Sequence, residues 1–261
     1  MNLMYGLLLL VLPLHPQGGA VTAVARGDSE LFLIDYTAAV REYEGALSTD
    51  GRLPAALWRL ARVHVLMAEV EAGDSREQLL RKAEGYARRC IEVDSVMAEG
   101  HTWLAGAVGY LALEADVGEQ VKYSNELVVE VEKALSLNPA DDVAYSVKGS
   151  FYRALGNVGW FKKSLASIFL GHVPEGGYPE SEAALLQAVH IAPDVMRHQY
   201  ELGVLYLDMG RMAEARRMLE YAATLPVRIA SDTPRLETIR ELLSTRFQGN
   251  GSAVGGQAGN R

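Results

Sequence analysis

Apolar and small side chains recur along most of this chain at three- and four-residue intervals, the repeat of a helix with one buried face. The stretch from Tyr200 to Ala222, YELGVLYLDMGRMAEARRMLEYA, carries the pattern most clearly. Leu202, Gly203 and Tyr206 share one face, Ala215, Leu219 and Ala222 share another, and Gly210-Arg211 interrupts the series between them. The pattern predicts two antiparallel helices. Gly203 and Ala215 are small where the two axes approach closely, and Tyr206 and Leu219 fill the space alongside. Pro226 then ends the unit.

The same marks occur upstream. Ala188, Ala134 and Cys90 are each followed five positions later by a breaker, Pro193, Pro139 and Ser95. After each breaker a new helix begins, VMRHQYELGVLY, DVAYSVKGSFY and AEGHTWLAGAVGY. Gly203, Gly149 and Ala105 take equivalent places in these helices. A further copy, PAALWRLARVHVL, has Pro54 in its first turn and Ala61 at the small position. Four hairpins are therefore predicted. A helix over Ser29–Ala46 precedes them, and a polar helix, SDTPRLETIRELLSTRF, follows as a cap. This is the tetratricopeptide pattern. The equivalent positions lie 44, 44 and 54 residues apart, wider than the standard unit of about 34. Longer helices or ragged turns are expected in the first two hairpins, and a true insertion, GNVGWFKKSLASIFLGHVPEGGYPE, in the third. The expected fold class is all-α, with tetratricopeptide-like hairpins stacked in a compact right-handed superhelix over residues 26–247.

The two ends read differently. The first 25 residues contain no charged side chain, and their apolar run is shorter than the ~20 residues that span a bilayer. Ala23-Val24-Ala25 follows as a small-x-small cleavage pattern. Residues 1–25 are expected to be a signal peptide removed after Ala25, which places the protein in a periplasm or outside the cell. The absence of Lys and Arg before the apolar run keeps a short membrane anchor as the alternative. Residues 248–261 are Gly, Asn, Gln and Ala with little else and are expected to form a disordered tail. The single cysteine, Cys90, allows no intrachain disulfide and reads as a packed small hydrophobe.

Three segments in order, SLNPADDVAYSVKG, GNVGWFKKSLASIFLGHVPEGG and YELGVLYLDMGRMAEARRMLEYAATLP, resemble the tetratricopeptide-like domain of the regulator of microtubule dynamics family and its bacterial relatives. The resemblance runs from about Phe32 to Pro226, and its most specific part is the glycine-bracketed Trp160-Phe161 insert. It implies an all-helical fold and a binding role without catalysis. Eukaryotic members are tied to microtubules and organelle membranes. The export signal departs from them, so microtubule binding is not carried over, and no functional residue is.

Net charge is −8, which argues against nucleic acid and anionic membrane surfaces as main partners. The histidines form no His-Glu-x-x-His pair, and no glycine-rich phosphate loop or strained Gly-x-Ser-x-Gly turn occurs. No catalytic, metal or cofactor site is expected. His101 reads as a satisfied, partly buried residue. His190 and His198, flanking Pro193, read as a helix-end and a surface residue rather than a metal pair. The repeat register assigns a concave face to Arg59, Met67, Glu99, Thr102, Tyr110, Ser146, Ser150, Arg153, Arg197, Tyr200 and Asp208. That face mixes both charge signs with two tyrosines, as a peptide groove does; the alternative is that long helices and the N-terminal helix fill it. In the insert, Trp160, Phe161, Leu165, Ile168 and Phe169 share a helical face opposite Lys162, Lys163 and Ser167. The face reads either as packed on the repeats or as a lid or membrane contact. The function expected is that of an exported, non-catalytic adaptor or scaffold whose partner is another protein or peptide. The alternative is a soluble binder of an apolar or lipid-like ligand that partners a membrane transporter.

Overall fold

The computed structural model describes residues 16–157 and 174–247. Among the described residues every regular element is a helix. The four expected hairpins are present. They are α3 (Pro54–Ala68) with α4 (Gly73–Val93), α5 (Ala98–Glu114) with α6 (Val117–Leu137), α7 (Asp142–Gly156) with α8 (Tyr178–Ile191), and α9 (Met196–Asp208) with α10 (Met212–Ala222). The 44-residue spacing arises from α4 and α6, each 21 residues long, against 11 for α10.

Local chemistry sets the boundaries. Asp116 and Asp141 cap α6 and α7 by accepting from the backbone N–H groups of Glu119 and Ala144. Pro54 stands in the first turn of α3. Gly210 turns the chain between α9 and α10 at φ 74°, where a side chain would be strained. The small positions mark close helix approach. Ala61 and Ala105 are fully buried, and a Cβ on Gly149 would lie 2.5 Å from the Leu185 Cγ. Gly203 lies beneath Leu219, where an added Cβ would come within 2.9 Å. The expected Gly203–Ala215 pairing is thus displaced by one helical turn. Ala215 packs instead among Leu202, Leu205 and Tyr206.

The N-terminal region differs from expectation. In place of one helix over Ser29–Ala46 there are two, α1 (Pro16–Phe32) and α2 (Tyr36–Thr49), packed as a fifth hairpin. Ile34 breaks the helix at φ 62°, the conformation that usually calls for glycine after a helix end. The Asp35 N–H bonds back to the Glu30 carbonyl, and the Asp35 side chain caps α2 through Ala38. Gly27 of α1 lies against the ring of the fully buried Tyr43. It stands 34 residues before Ala61 and takes the same small place. The cleavage point expected after Ala25 falls inside α1. Ala20, Ala23 and Val24 are buried there against Ala46 and Ala56, so removal of residues 1–25 would uncover these contacts.

The core is continuous through α3–α6, with Leu80, Leu104, Val108, Leu127 and Val131 at its centre. Cys90 belongs to this helix packing. It is fully buried, its thiol faces the Pro54 carbonyl at 3.6 Å, and burial followed by nearby acidic charge pushes its pKa up to about 12. The last helix, α11 (Asp232–Phe247), packs on α10 and α9 through the fully buried Ile239. Between α10 and α11 the chain returns to the first hairpins. Ile229 and Ala230 pack with Leu31, Tyr36, Leu60 and Leu66, and the Ala230 N–H donates to the Tyr36 hydroxyl at 2.9 Å. This strap joins the two ends of the superhelix. Among the described residues no helix is long and apolar enough to cross a membrane.

Candidate functional site

The first helices of successive hairpins stand side by side and leave a cavity of about 280 Å³ among α5, α6, α7 and α9. Its wall is apolar along Trp103, Leu113, Leu127, Val143, Val147 and Phe151. Gly106 and Gly109 of α5 also line it, keeping that helix low on the cavity side. Ser124, Ser146 and Ser150 add hydroxyls, and Arg153, Arg197, Glu201 and Arg235 add charge. Ser124 and Ser146 are 4% and 3% exposed.

Two carboxylate–arginine groups flank this space. In the first, the Glu69 carboxylate at the end of α3 accepts from Arg197, from the Tyr110 hydroxyl at 3.0 Å and from the Ser231 hydroxyl at 2.5 Å. Burial alone would raise the Glu69 pKa, but Arg197, Ser231 and Arg235 together hold it below the usual glutamate range. Burial likewise opposes the Arg197 charge, and Glu69 and Tyr110 more than offset it. Arg235 is held by Asp232 at 2.5 Å.

In the second group, Arg153 reaches Asp208 at 3.1 Å and Glu201 at 3.5 Å. Burial works against the Arg153 charge, while Glu201 and Asp208 raise its pKa above the ordinary arginine value. The Arg153 Nε and the Glu201 Oε2 are both buried and neither makes a hydrogen bond among the described residues. The first group is fully hydrogen-bonded; the second is held by longer ion contacts.

The expected concave face therefore divides. Tyr110, Ser146, Ser150, Arg153 and Arg197 come together at the cavity, and Asp208 joins them through Arg153. Tyr200 lies under Arg235, 5.9 Å from ring to guanidinium, in the packing of α11. Thr102, placed by the register on an open face, is 2% exposed and donates to Asp141 at 2.5 Å, fastening α5 to the start of α7. Arg59 turns the other way, to Asp28 of α1 at 2.7 Å. Met67 packs with the α1–α3 core. Glu99 sits in the first turn of α5, away from the cavity lining. Trp160, Phe161, Lys162, Lys163 and Phe169 lie outside the described residues.

The sequence reading missed Glu201, Arg235, Trp103 and Phe151. Glu201 follows Arg197 by one turn of α9, so an i,i+4 scan from Arg197 would have found it. Arg235 comes from the capping helix, which no repeat register includes. His101 and His198 make buried contacts within the fold. His101 contacts Glu130 at 2.5 Å through Nδ1 and the Ser95 carbonyl at 3.1 Å through Nε2. His190 is exposed, while His198 is 1% exposed and contacts Asp142 at 2.8 Å. One of the pair is thus a surface residue in the last turn of its helix, and the other is buried against the start of α7. Among the described residues no cluster of His, Cys, Asp and Glu could hold a metal ion.

Comparison with known proteins places this arrangement. In fold the chain is similar to a thermophilic tetratricopeptide protein of Thermus thermophilus, with TM-score 0.64 and 22% identity over 85% of this chain and 100% of that one. The pilF protein of Pseudomonas aeruginosa matches with TM-score 0.52 and 14% identity, over 90% of this chain and 94% of that one. In sequence, regulator of microtubule dynamics protein 3 of Xenopus laevis is 29% identical over 190 residues, 72% of this chain and 41% of the frog protein. Regulator of microtubule dynamics protein 1 of Caenorhabditis elegans is 22% identical over 203 residues, 78% of this chain and 88% of the nematode protein. The chain thus spans less than half of the frog relative and most of the nematode one. The family model for regulator of microtubule dynamics proteins 1–3 matches residues 30–246, and with that match the helical-repeat chain belongs to the regulator of microtubule dynamics family.

Proposed function

We propose that this protein is a non-catalytic scaffold that binds a segment of another protein, exported from the cytoplasm under the direction of residues 1–25. The observation that carries the reading is the cavity along α5, α7 and α9, apolar on its wall and lined also by the polar side chains of Ser146, Ser150, Arg153 and Glu201. A tetratricopeptide-like stack presents such a surface from rigid helices, which favours binding over chemistry. The aromatic wall of Trp103 and Phe151 supports a second reading, a binder of a small apolar ligand.

A photo-crosslinking side chain at Leu113 separates the two. Leu113 lines the cavity and is 53% exposed, so an adduct formed there reports the occupant. The scaffold reading expects a polypeptide adduct that is lost when Ser150→Phe fills the cavity. A lipid adduct, or lipid carried through native mass spectrometry, puts the ligand binder first. The export reading is tested by N-terminal sequencing after expression with the native leader, where Arg26 as first residue requires the exported protein to give up the Ala20, Ala23 and Val24 contacts of α1. A product that begins at Met1 and stays with the membrane would replace the cleaved leader with an anchor.

A further inference from the structure

The two most exposed large apolar side chains among the described residues are neighbours in sequence. Phe32 is 85% and Leu33 70% exposed, at the end of α1 and in the turn that follows it. Val70, 47% exposed, stands in the turn after α3. Shallow depressions flank Leu33. One is lined by Asp28, Ser29, Phe32 and Leu33. The other joins the tips of the first two hairpins, with Leu33, Ile34, Asp35, Met67, Val70 and Glu71 along it. None of these residues lines the cavity among α5, α6, α7 and α9. The backbone holds this tip under strain. Ile34 adopts φ 62°, where a β-branched side chain is an outlier and glycine is the usual choice after a helix. Its side chain packs on the first core together with Met67, which roots the tip and leaves Phe32 and Leu33 in water. Strain kept beside exposed apolar side chains marks a contact surface rather than a plain turn.

The charge around the tips selects the partner. Among the described residues no Lys or Arg lines either depression. Asp28 is already held by Arg59 at 2.7 Å. Asp35 accepts from the Ala38 N–H, a contact that leaves its charge in place, and it has no ion pair among the described residues. Glu71 is exposed and has none either, and the exposed Asp74 opens α4 just beyond it. An anionic bilayer would meet like charge here. A neutral bilayer would cover Asp35 and Glu71 without supplying a counter-charge, which is costly for carboxylates. A polypeptide that carries Lys or Arg beside apolar side chains satisfies both parts of the surface. We propose that the tips of the first two hairpins form a second interaction surface, separate from the cavity, that docks a basic, apolar-faced segment of a partner protein. Its apolar side chains cover Phe32, Leu33 and Val70, and its cations meet Asp35 and Glu71. This surface goes beyond the cavity reading and does not depend on it.

The probe is a short amphipathic peptide of leucine and lysine, with its leucine–glutamate counterpart and phosphatidylcholine vesicles, with and without phosphatidylglycerol, as comparators. Titrated into the full chain and followed by amide NMR, the lysine peptide should shift the signals of Leu33, Asp35, Val70 and Glu71, and the glutamate peptide should not. The double variant Phe32→Ser, Leu33→Ser should weaken binding roughly tenfold or more, as for an apolar anchor, with the melting temperature unchanged because both side chains are exposed. Glu71→Lys should weaken it roughly threefold or more at low salt, a difference that shrinks as salt is raised, and it keeps the test decisive should the double variant fail to fold. Ser150→Phe, which fills the cavity, should leave the affinity unchanged. Equal affinity in the double variant or in Glu71→Lys would overturn the proposal, as would loss of binding in Ser150→Phe, which would seat the peptide in the cavity. Vesicles that shift the same signals when the lysine peptide does not would overturn it in favour of a membrane contact. None of these outcomes bears on the polypeptide adduct at Leu113, so the cavity reading stands or falls separately.

Discussion

Glu69 and Glu201 both act on the Arg197 charge, and Arg197 and Glu201 are one turn apart on α9, yet the two carboxylates have opposite situations. Glu69 is 3% exposed at its side chain and receives an arginine, a tyrosine and a serine. Its partners come from α5, α9 and the strap, so it fastens three parts of the molecule. Glu201 has one ion contact, at 3.5 Å, and an oxygen without a hydrogen bond. The difference teaches that residue type alone does not separate a fastening from a looser contact. Completeness of hydrogen bonding does.

The strongest way to break this comparison is to remove both carboxylates in turn. Glu69→Leu leaves Arg197 buried without a counter-charge and should cost about 3–5 kcal/mol in chemical denaturation. A loss under about 1 kcal/mol would mean that Glu69 fastens nothing. Next in size is deletion of residues 1–25, which uncovers Ala46 and Ala56 by removing Ala20, Ala23 and Val24. Two methyl groups and a valine correspond to roughly 3 kcal/mol, read as a lower midpoint in urea. Gly203→Leu should cost about 1–3 kcal/mol by driving α9 off Leu219. Because α9 carries both Arg197 and Glu201, the same variant should disturb the amide signals of both groups. A neutral result would place Gly203 away from α10.

The pH dependence sharpens the contrast. The Glu69 pKa is held below its unfolded value, so its contribution is complete above the unfolded pKa and is lost as pH falls through the folded value. Below about pH 4.3, the ordinary glutamate pKa, the native protein should lose stability more steeply than Glu69→Gln. Parallel curves would mean that the carboxylate is not stabilised by folding. The smallest effect belongs to Glu201→Met, which removes an ion contact of 3.5 Å from Arg153 while Asp208 still holds that arginine at 3.1 Å. Its stability should change by about 1 kcal/mol or less in either direction, and a cost near that of Glu69→Leu would erase the distinction.

The sequence made the hairpins legible because their evidence is local. Gly149 under Leu185 and Gly203 under Leu219 join neighbouring helices, and the small-residue offsets expose that register. The first hairpin was hidden because the apolar run before Pro16 and Ala23-Val24-Ala25 have the pattern of a leader. Gly27 nevertheless stands one standard repeat before Ala61. The break at Ile34 carried no glycine to mark it, since the turn is fixed by Asp35 capping and backbone bonds to Leu31 and Glu30. Half of the cavity was legible for the same reason as the hairpins: Tyr110, Ser146, Arg153 and Arg197 follow from the helix register. Arg235 did not, because it arrives on a helix outside the repeats. Thr102 was misplaced because its face is covered by the turn that holds Asp141.

The strap has a consequence for how the molecule comes apart. A linear stack of repeats touches only its neighbours, so its end units fray independently of the middle. Here the bond from the Ala230 N–H to the Tyr36 hydroxyl bridges 194 residues of sequence, and Ser231 reaches Glu69 across 162. The last repeat cannot leave without releasing the first, and hydrogen exchange at α1–α2 and at α10–α11 should proceed through a shared opening event. Contacts of such long sequence separation also slow folding, because a large loop must close before either end is rewarded. The chord turns an array that would melt from its tips into a single cooperative unit.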